Sequence, residues 1–297
     1  MGAAMSSSWL VGAGDELVPG IHAERKLGGG ERYEAYVGWH ERLFAPVVVK
    51  VVRPDLVDDP STRRGLAREA AMLARLSHPG IVRSFDADLD GERPHLVLEH
   101  LDGPRLSSLV RRFGPLSMEQ WLPLGLELCS ALHYLSTESV VHLDVKPSNI
   151  IMGAPPRLID LSIARSLGEA AELDHVTGTD AYLAPEQADP PRTGVPGAAA
   201  DIFGLGVTLY EALTGERPFR DGDRRNGSPA GETWPQLVEP PAPLPRQVPD
   251  VVAEPIMACL ERDPGARPTA AELATTLQPL VEALPRPVLG GLRAKLR

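Results

Sequence analysis

The chain has 297 residues, of which 43% are hydrophobic and 24% are charged, and its formal net charge is −10. This length allows a sizeable buried core, and the composition is that of an ordinary globular protein. The acidic balance argues against nucleic-acid binding, which usually requires a basic excess. No apolar run reaches the roughly 18 residues that a membrane-spanning helix needs, so the sequence predicts a cytoplasmic protein without a transmembrane segment.

The first third of the chain predicts a small β-rich unit. Residues 1–14 are small and polar and predict a flexible tail. Strand-like sequence follows from Ile21 to Tyr36, and residues 47–52 form a run of five valines interrupted only by Lys50. Further strands are expected at residues 81–82 and 95–99.

One helix is predicted inside this β-rich unit. Asp59-Pro60 is a good helix start, because an aspartate cap precedes a proline in the first turn. Apolar residues then recur at helical spacing through Leu76. Glu69 lies on the apolar side of this helix, where a charge is costly unless it is paired.

The rest of the chain predicts mainly helices. Ser117 and Gln120 form a capping box before an apolar helix that contains Pro123. Further helices are expected over residues 201–214, 251–260 and 270–283, whereas the proline-dense residues 235–249 should lack regular structure. Cys129 and Cys259 lie in apolar helical stretches without C-x-x-C spacing, so we expect buried thiols.

Two neighbouring apolar segments carry the most informative chemistry. Residues 141–149 contain the pattern H-x-D-x-x-x-x-N, and Leu158-Ile159-Asp160 follows closely. Two carboxylates, a lysine and an amide in this arrangement suit the binding of magnesium and a nucleoside triphosphate. The pattern resembles the catalytic loop and metal-binding aspartate of the eukaryotic-type (Hanks-type) protein kinases, in particular the bacterial serine/threonine kinases.

The resemblance covers residues 15–284 and implies an α+β fold with two lobes. A small β-rich N-lobe (15–100) and a larger helical C-lobe (101–284) would enclose an ATP cleft, followed by a C-terminal tail (285–297). In the catalytic loop, Asp144 would position the acceptor hydroxyl and Lys146 would offset charge on the transferred phosphoryl group. Asn149 and Asp160 would bind Mg²⁺, with Mn²⁺ as the alternative cation.

The nucleotide pocket is also implied by the resemblance. Leu27, Gly28, Gly29 and Gly30 occupy the place of the glycine-rich loop, although Tyr33 stands where the third glycine belongs. Ala35 replaces the valine that usually covers the adenine. Lys50 would contact the phosphates and pair with Glu69, while Leu98, Glu99 and Leu101 would line the adenine pocket.

Residues 178–186 resemble the substrate groove that ends in A-P-E, which is specific to protein kinases. Thr179 would hydrogen-bond near Asp144 and Lys146, as expected for serine/threonine acceptors. Glu186 would pair with Arg267, and Asp201 would hold the backbone of the catalytic loop. We interpret the proline- and charge-rich residues 220–249 as a tolerant surface loop.

Two departures from the family pattern suggest a hypothesis about regulation. Leu143 replaces the arginine that binds a phosphorylated activation loop in the family, and Leu161-Ser162 replaces phenylalanine-glycine after Asp160. An apolar leucine cannot bind phosphate, so we expect activity that does not depend on that switch.

The predicted activity is transfer of the γ-phosphoryl group of Mg-ATP to protein serine or threonine hydroxyls. Autophosphorylation is plausible at Ser166, Thr177 or Thr179 and would favour a homodimer. The alternative is a pseudokinase, a nucleotide-binding scaffold with little phosphotransfer, which the altered glycine-rich loop would favour. A third interpretation, small-molecule phosphotransfer, is opposed by the peptide-groove segment.

Overall fold

The computed structural model describes residues 7–223 and 228–285, which form two lobes. The β-strands are β1 (Glu16–Val18), β2 (Ile21–Gly29), β3 (Tyr33–His40), β4 (Ala45–Val52), β5 (Ser84–Asp88), β6 (His95–Glu99), β7 (Val140–Val141), β8 (Ile150–Ile151), β9 (Arg157–Leu158) and β10 (Arg165–Ser166). The helices are α1 (Pro60–Arg75), α2 (Leu106–Phe113), α3 (Met118–Thr137), α4 (Leu167–Ala171), α5 (Pro185–Ala188), α6 (Pro190–Thr193), α7 (Ala198–Thr214), α8 (Ala230–Thr233), α9 (Asp250–Cys259) and α10 (Ala270–Glu282).

The N-lobe is an antiparallel sheet in the order β1-β2-β3-β4-β6-β5 with helix α1 against it. The valine run forms β4, in the centre of the sheet, where Val47, Val49 and Val51 are buried. The strand expected at residues 81–82 is not formed. Ile81 instead makes an isolated bridge to Leu158, so this segment joins the N-lobe to the C-lobe.

Helix α1 begins as the sequence predicts. Asp59 caps the helix by accepting a hydrogen bond from the backbone N–H of Thr62 at 2.7 Å, and Pro60 occupies the first turn. The buried face includes Leu66 and Leu73, and Glu69 lies on the same face with 1% exposure. The helix therefore carries a buried carboxylate toward the sheet.

The C-lobe is built around helices α3 and α7, which pack on each other, and α10 covers α3. Ser117 and Gln120 form the predicted capping box, and Pro123 lies inside α3. Helix α7 is almost entirely buried because its sequence is apolar on every face. Cys129 and Cys259 are free and buried, as predicted. The two-lobe α+β prediction is confirmed.

The predicted N-terminal tail, residues 1–14, is described only from Ser7 onward. Residues 1–6 lie outside the described residues; within residues 7–14, Trp9 and Val11 are half-buried, whereas Leu10 and residues 12–14 are exposed. The indole N–H of Trp9 donates to the carbonyl of Val52 at 2.7 Å, and Trp9 and Val11 pack against the buried face of the sheet. Trp9 and Val11 therefore attach this short stretch to the N-lobe, and the tail as a whole stays a prediction.

Among the helices of the described residues, none combines the length and apolar character that a membrane span requires.

Candidate active site

A lysine and two carboxylates meet where the sheet faces the C-lobe. Lys50 lies on β4 opposite Ala35 of β3 and Leu96 of β6. Its ammonium contacts both carboxylate oxygens of Glu69, at 3.0 and 2.7 Å, and Oδ1 of Asp160 at 2.8 Å. The structure therefore joins β4, α1 and the segment after β9 through one cation.

The charges of this cluster stabilise one another. Burial lowers the pKa of Lys50, but the charges of Glu69 and Asp160 outweigh burial and raise it above its ordinary value. For the carboxylate of Asp160, burial has the opposite effect and raises the pKa. The positive charge of Lys50 outweighs burial and holds the pKa of Asp160 well below its usual range. Burial raises the pKa of Glu69, which Lys50 only partly offsets. Asp160 therefore stays ionised and available to a cation.

A second polar cluster surrounds Asp144 in the loop between β7 and β8. Its Oδ2 accepts hydrogen bonds from the ammonium of Lys146 at 2.6 Å and from the amide of Asn149 at 2.9 Å. Its Oδ1 accepts a hydrogen bond from the hydroxyl of Thr179 at 2.7 Å, and Lys146 also donates to Thr179. The structure thus brings together all four residues that the sequence predicted here.

The backbone of this loop is held by a buried aspartate. Asp201, at the start of α7, accepts the N–H groups of His142 and Leu143, each at 2.7 Å. The His142 ring is fully buried; its Nδ1 accepts the N–H of Asp144 at 3.3 Å, and its Nε2 lies 3.2 Å from the carbonyl of Ile159. His142 is thus a structural link between Asp144 and the segment that carries Asp160.

Two residues of the site have left-handed backbone conformations. Leu143 has φ 64° and Asp160 has φ 67°, a region that residues other than glycine rarely occupy. Such strain persists only where the surroundings impose it, and it concentrates at functional sites. Here the Asp201 hydrogen bonds impose it at Leu143, next to Asp144.

The glycine-rich segment forms the hairpin between β2 and β3. Gly28 pairs with Ala35 across the hairpin, and its φ of 147° favours glycine. A Cβ at Gly29 would lie 2.9 Å from the carbonyl oxygen of Tyr33, so this position also needs glycine. A Cβ at Gly30 would meet nothing within 4 Å.

The residues predicted to line the adenine pocket lie on the internal strands β2 and β6 or just beyond β6. Leu27 is exposed on β2, Leu98 is buried on β6, and Leu101 is partly buried just beyond β6. Glu99 ends β6, and its carboxylate lies 3.4 Å from Nη1 of Arg157. Sequence reasoning missed Arg157, which links the end of β6 to the C-lobe by also donating to the carbonyl of Ile81 at 3.2 Å.

The predicted metal ligands present hard oxygen donors. Both hydrogen bonds of the Asn149 side chain use its amide nitrogen, so its amide oxygen would be the ligand atom, together with the carboxylate of Asp160. Within the described residues, no group of three His, Cys, Asp or Glu side chains could enclose a metal. The pair therefore fits Mg²⁺ shared with phosphate oxygens better than a cation held by protein alone.

Residues 160–186, called here the activation segment, are anchored by two glutamines that sequence reasoning missed. The buried amide of Gln187 donates to the carbonyls of Leu143 and Thr177, each at 2.9 Å. It thereby fixes the segment beside the Asp144 loop. Only its position directly after A-P-E could have drawn attention to it.

The second glutamine lies in the segment interpreted from sequence as a tolerant surface loop. Gln236 has 5% exposure and donates to the carbonyls of Asp180 and Leu183, at 3.0 and 3.1 Å. Residues 228–238 also contain the short helix α8. This part of residues 220–249 is therefore docked on the activation segment, and the loop interpretation is wrong for it; residues 224–227 lie outside the described residues.

The end of the activation segment is fixed by the predicted buried ion pair. Arg267 donates to the two carboxylate oxygens of Glu186 at 2.7 and 2.9 Å, and neither side chain is exposed. The two parallel hydrogen bonds give this contact a defined geometry. Its role is to hold the segment rather than to take part in chemistry.

The family of this chain follows from comparison with known proteins. The family model described as protein kinase domain matches residues 21–277. The match covers both lobes and both polar clusters. The chain belongs to the protein kinase domain family.

Individual relatives are bacterial. The serine/threonine-protein kinase PknB of Mycolicibacterium smegmatis is 35% identical over 265 residues, covering 84% of this chain and 41% of PknB. PkaA, a serine/threonine-protein kinase of Streptomyces coelicolor, is 35% identical over 247 residues, covering 80% of this chain and 44% of PkaA. PkwA of Thermomonospora curvata, named a probable serine/threonine-protein kinase, is 36% identical over 235 residues, covering 78% and 30%. The chain spans less than half the length of these relatives.

Proposed function

We propose that this chain transfers the γ-phosphoryl group of Mg-ATP to serine or threonine hydroxyls of proteins. The observation that supports the proposal most directly is that the structure forms two polar clusters at the predicted site. Lys50 bridges Glu69 and Asp160 on one side, and Asp144 contacts Lys146, Asn149 and Thr179 on the other. The names of the bacterial relatives support serine/threonine specificity.

The first cluster would hold the nucleotide. Lys50 would contact the phosphates while Glu69 keeps its ammonium in place, and Asn149 and Asp160 would hold Mg²⁺ or Mn²⁺. The cation, when bound, supplies positive charge to the phosphate oxygens. Gly28 and Gly30 would let backbone N–H groups approach the phosphates, and Ala35, Leu98 and the 99–101 backbone would contact the adenine.

The second cluster would hold the acceptor. Asp144 accepts a hydrogen bond from the hydroxyl of Thr179 at 2.7 Å, and this contact supports the proposal that it would orient the hydroxyl of a substrate. Lys146 lies within hydrogen-bonding distance of both groups and would offset charge on the transferred phosphoryl group. Positioning and charge compensation are the main requirements of phosphoryl transfer.

The test is incubation of the purified chain with labelled ATP and Mg²⁺, with and without a generic basic protein. We expect labelled protein, and at least a 100-fold lower rate in Asp144→Asn and Asp160→Asn. Asp55→Asn, at an exposed aspartate outside the site, is the matched control. Magnesium-dependent nucleotide binding without transfer would support the pseudokinase alternative instead. A cytoplasmic location and a homodimer for autophosphorylation stay predictions.

We also propose that the activity does not need a phosphorylated activation segment. Leu143 is 3% exposed, so its side chain offers nothing to a phosphate. An acidic residue already contacts helix α1: Glu169 Oε1 lies 3.9 Å from Nε of Arg68, the neighbour of Glu69. Hydrogen bonds from Ser166 and the charges of Arg68 and Arg165 lower the pKa of Glu169, so it carries negative charge at neutral pH.

The test of this proposal uses protein whose activation segment carries no phosphate. After phosphatase treatment, and in the double variant Ser166→Ala, Thr177→Ala, we expect the rate of transfer to an added substrate to stay within about threefold of the untreated chain. Thr179 is left unchanged because it contacts Asp144. A large loss of rate that returns on rephosphorylation would contradict the proposal.

A further inference from the structure

The glycine-rich hairpin contains a tyrosine that reaches helix α1. Tyr33, at the start of β3, replaces the third glycine of the family pattern, and its hydroxyl donates to the carbonyl oxygen of Thr62 at 3.1 Å. Thr62 belongs to the first turn of α1. Burial raises the pKa of Tyr33, so the hydroxyl keeps its proton and acts as a donor.

Helix α1 has a matching space for this hydroxyl. A Cβ placed on Gly65 would lie 2.9 Å from the Tyr33 oxygen, closer than side-chain carbon atoms normally approach. A glycine inside a helix lowers its stability relative to alanine. Gly65, in the second turn of α1, therefore makes the helix less stable but leaves room for the Tyr33 hydroxyl.

The same tyrosine covers the ammonium of the nucleotide-binding lysine. Nζ of Lys50 lies 4.9 Å from the centroid of the Tyr33 ring, within the range of a cation–π interaction. Gly65 and Glu69 are four residues apart and so lie on one face of α1. Tyr33, Lys50 and Glu69 therefore form one continuous contact from the hairpin through the sheet to the helix.

We propose that Tyr33 is a positioning residue that latches the glycine-rich hairpin to helix α1 and keeps Glu69 paired with Lys50 before the nucleotide binds. The inference rests on the proposed phosphotransfer. In place of the flexibility of a third glycine, the chain has a side chain that couples the phosphate-binding hairpin to the helix. Tyr33 acts through Lys50 and Glu69, not on the phosphoryl group.

A double-mutant cycle between Tyr33 and Gly65 tests the latch. Tyr33→Phe removes only the hydroxyl, and we expect a three- to fivefold loss of kcat for transfer from ATP. Gly65→Ala pushes the hydroxyl aside and should cost about tenfold. The double variant should be no worse than Tyr33→Phe alone, because without the hydroxyl the added methyl group fits. Losses that multiply in the double variant would overturn the proposal.

Tyr134→Phe is the matched control. It also removes a tyrosine hydroxyl, one that accepts the N–H of Ser77 at 2.9 Å just beyond the other end of α1, but it is remote from Lys50. We expect its kcat to stay within twofold of the parent chain. A loss equal to that of Tyr33→Phe would show that any tether of the helix has this effect, and would overturn the specific role of Tyr33.

Amide hydrogen exchange in the absence of nucleotide separates this inference from the proposed function. We expect residues 62–69 to exchange at least fivefold faster in Tyr33→Phe than in the parent chain, with the Ile81–Val82 segment unchanged. Equal exchange in both proteins would overturn the latch even if both transfer phosphate. If the parent chain transfers none, the proposed function fails while the exchange still decides the latch.

Discussion

Arg267 is a fully buried guanidinium whose partners come from separate parts of the C-lobe. Besides Glu186, it donates to the carbonyls of Ala199, Glu261 and Arg262. Its guanidinium also lies 5.0 Å from the ring centroid of Phe203. All of these contacts depend on one side chain, so its removal leaves a carboxylate and several carbonyls buried without donors.

We expect Arg267→Ala to lower the free energy of unfolding by about 3–5 kcal/mol, the usual cost of breaking a buried ion pair on one side. Unfolding of both proteins in denaturant measures this difference in free energy. Arg262→Ala, at an exposed neighbour, should change the value by less than about 0.5 kcal/mol. If Arg267→Ala and Arg262→Ala both changed the free energy of unfolding by similarly small amounts, the structural role of the Arg267–Glu186 ion pair would be contradicted.

Glu34, on strand β3 of the hairpin, has a buried carboxylate that makes the free energy of unfolding depend on pH. Burial alone raises its pKa, but hydrogen bonds from Lys26 and Tyr36, at 2.6 and 2.8 Å, outweigh burial and lower the pKa from 4.5 to about 2. A carboxyl group with a lowered folded-state pKa stabilises the fold above its unfolded pKa. That stabilisation is lost as the pH falls from about 5 to about 2.

Glu34→Gln should therefore cost on the order of 2 kcal/mol at pH 7, the value of hydrogen bonds to a charged group. The difference from the parent chain should shrink steadily below pH 5. Unfolding measured at several pH values checks it, with the exposed Glu24→Gln as control. A difference that stays constant down to pH 3 would show that the charge of Glu34 does not contribute.

At the scale of elements, the segment of residues 228–238 connects the activation segment to the rest of the C-lobe. The Gln236 amide donates to the carbonyls of both Asp180 and Leu183. These carbonyls belong to the segment that would bind the substrate peptide, which is distant along the chain from the nucleotide pocket. A substitution in this segment should therefore weaken the binding of the protein substrate and leave the binding of ATP unchanged.

Gln236→Leu removes the two hydrogen bonds that the Gln236 amide donates to the activation segment, a loss of about 1–3 kcal/mol. We expect the KM for a protein or peptide substrate to rise about tenfold or more, while the KM for ATP stays within twofold. Steady-state kinetics with each substrate varied in turn measure both. The exposed Gln278→Leu should leave both unchanged. A parallel rise of both KM values in Gln236→Leu would mean general disorder of the site.

The elements that the sequence predicted correctly are those with a strong local signal. The valine run of β4, the capped start of α1 and the apolar α7 each need only neighbouring residues to be recognised. The contacts that were missed lack such a signal. Tyr33 and Gly65 are far apart in sequence, and nothing local indicates that a tyrosine hydroxyl fills the space left by a glycine.

At the scale of the whole molecule, the sequence predicted which residues come together at the site but not all of the contacts that they form. The motifs indicated a pair of Lys50 with Glu69 and a metal-binding role for Asp160, and the structure joins all three residues through the ammonium of Lys50. Motifs cannot show whether such a contact is formed, because that depends on how α1 lies against the sheet. The contact of Trp9 with Val52 is likewise a tertiary effect, because it joins residues that are 43 positions apart in the sequence.

The most direct test of the account is a crystal structure of the complete chain with Mg²⁺ and a non-hydrolysable ATP analogue. We expect the amide oxygen of Asn149 and the carboxylate of Asp160 to lie about 2.0–2.1 Å from a cation that also binds phosphate oxygens. Lys50 should contact the phosphates while keeping Glu69. A bound nucleotide with no cation at Asn149 and Asp160, or with Lys50 turned away from the phosphates, would contradict the account.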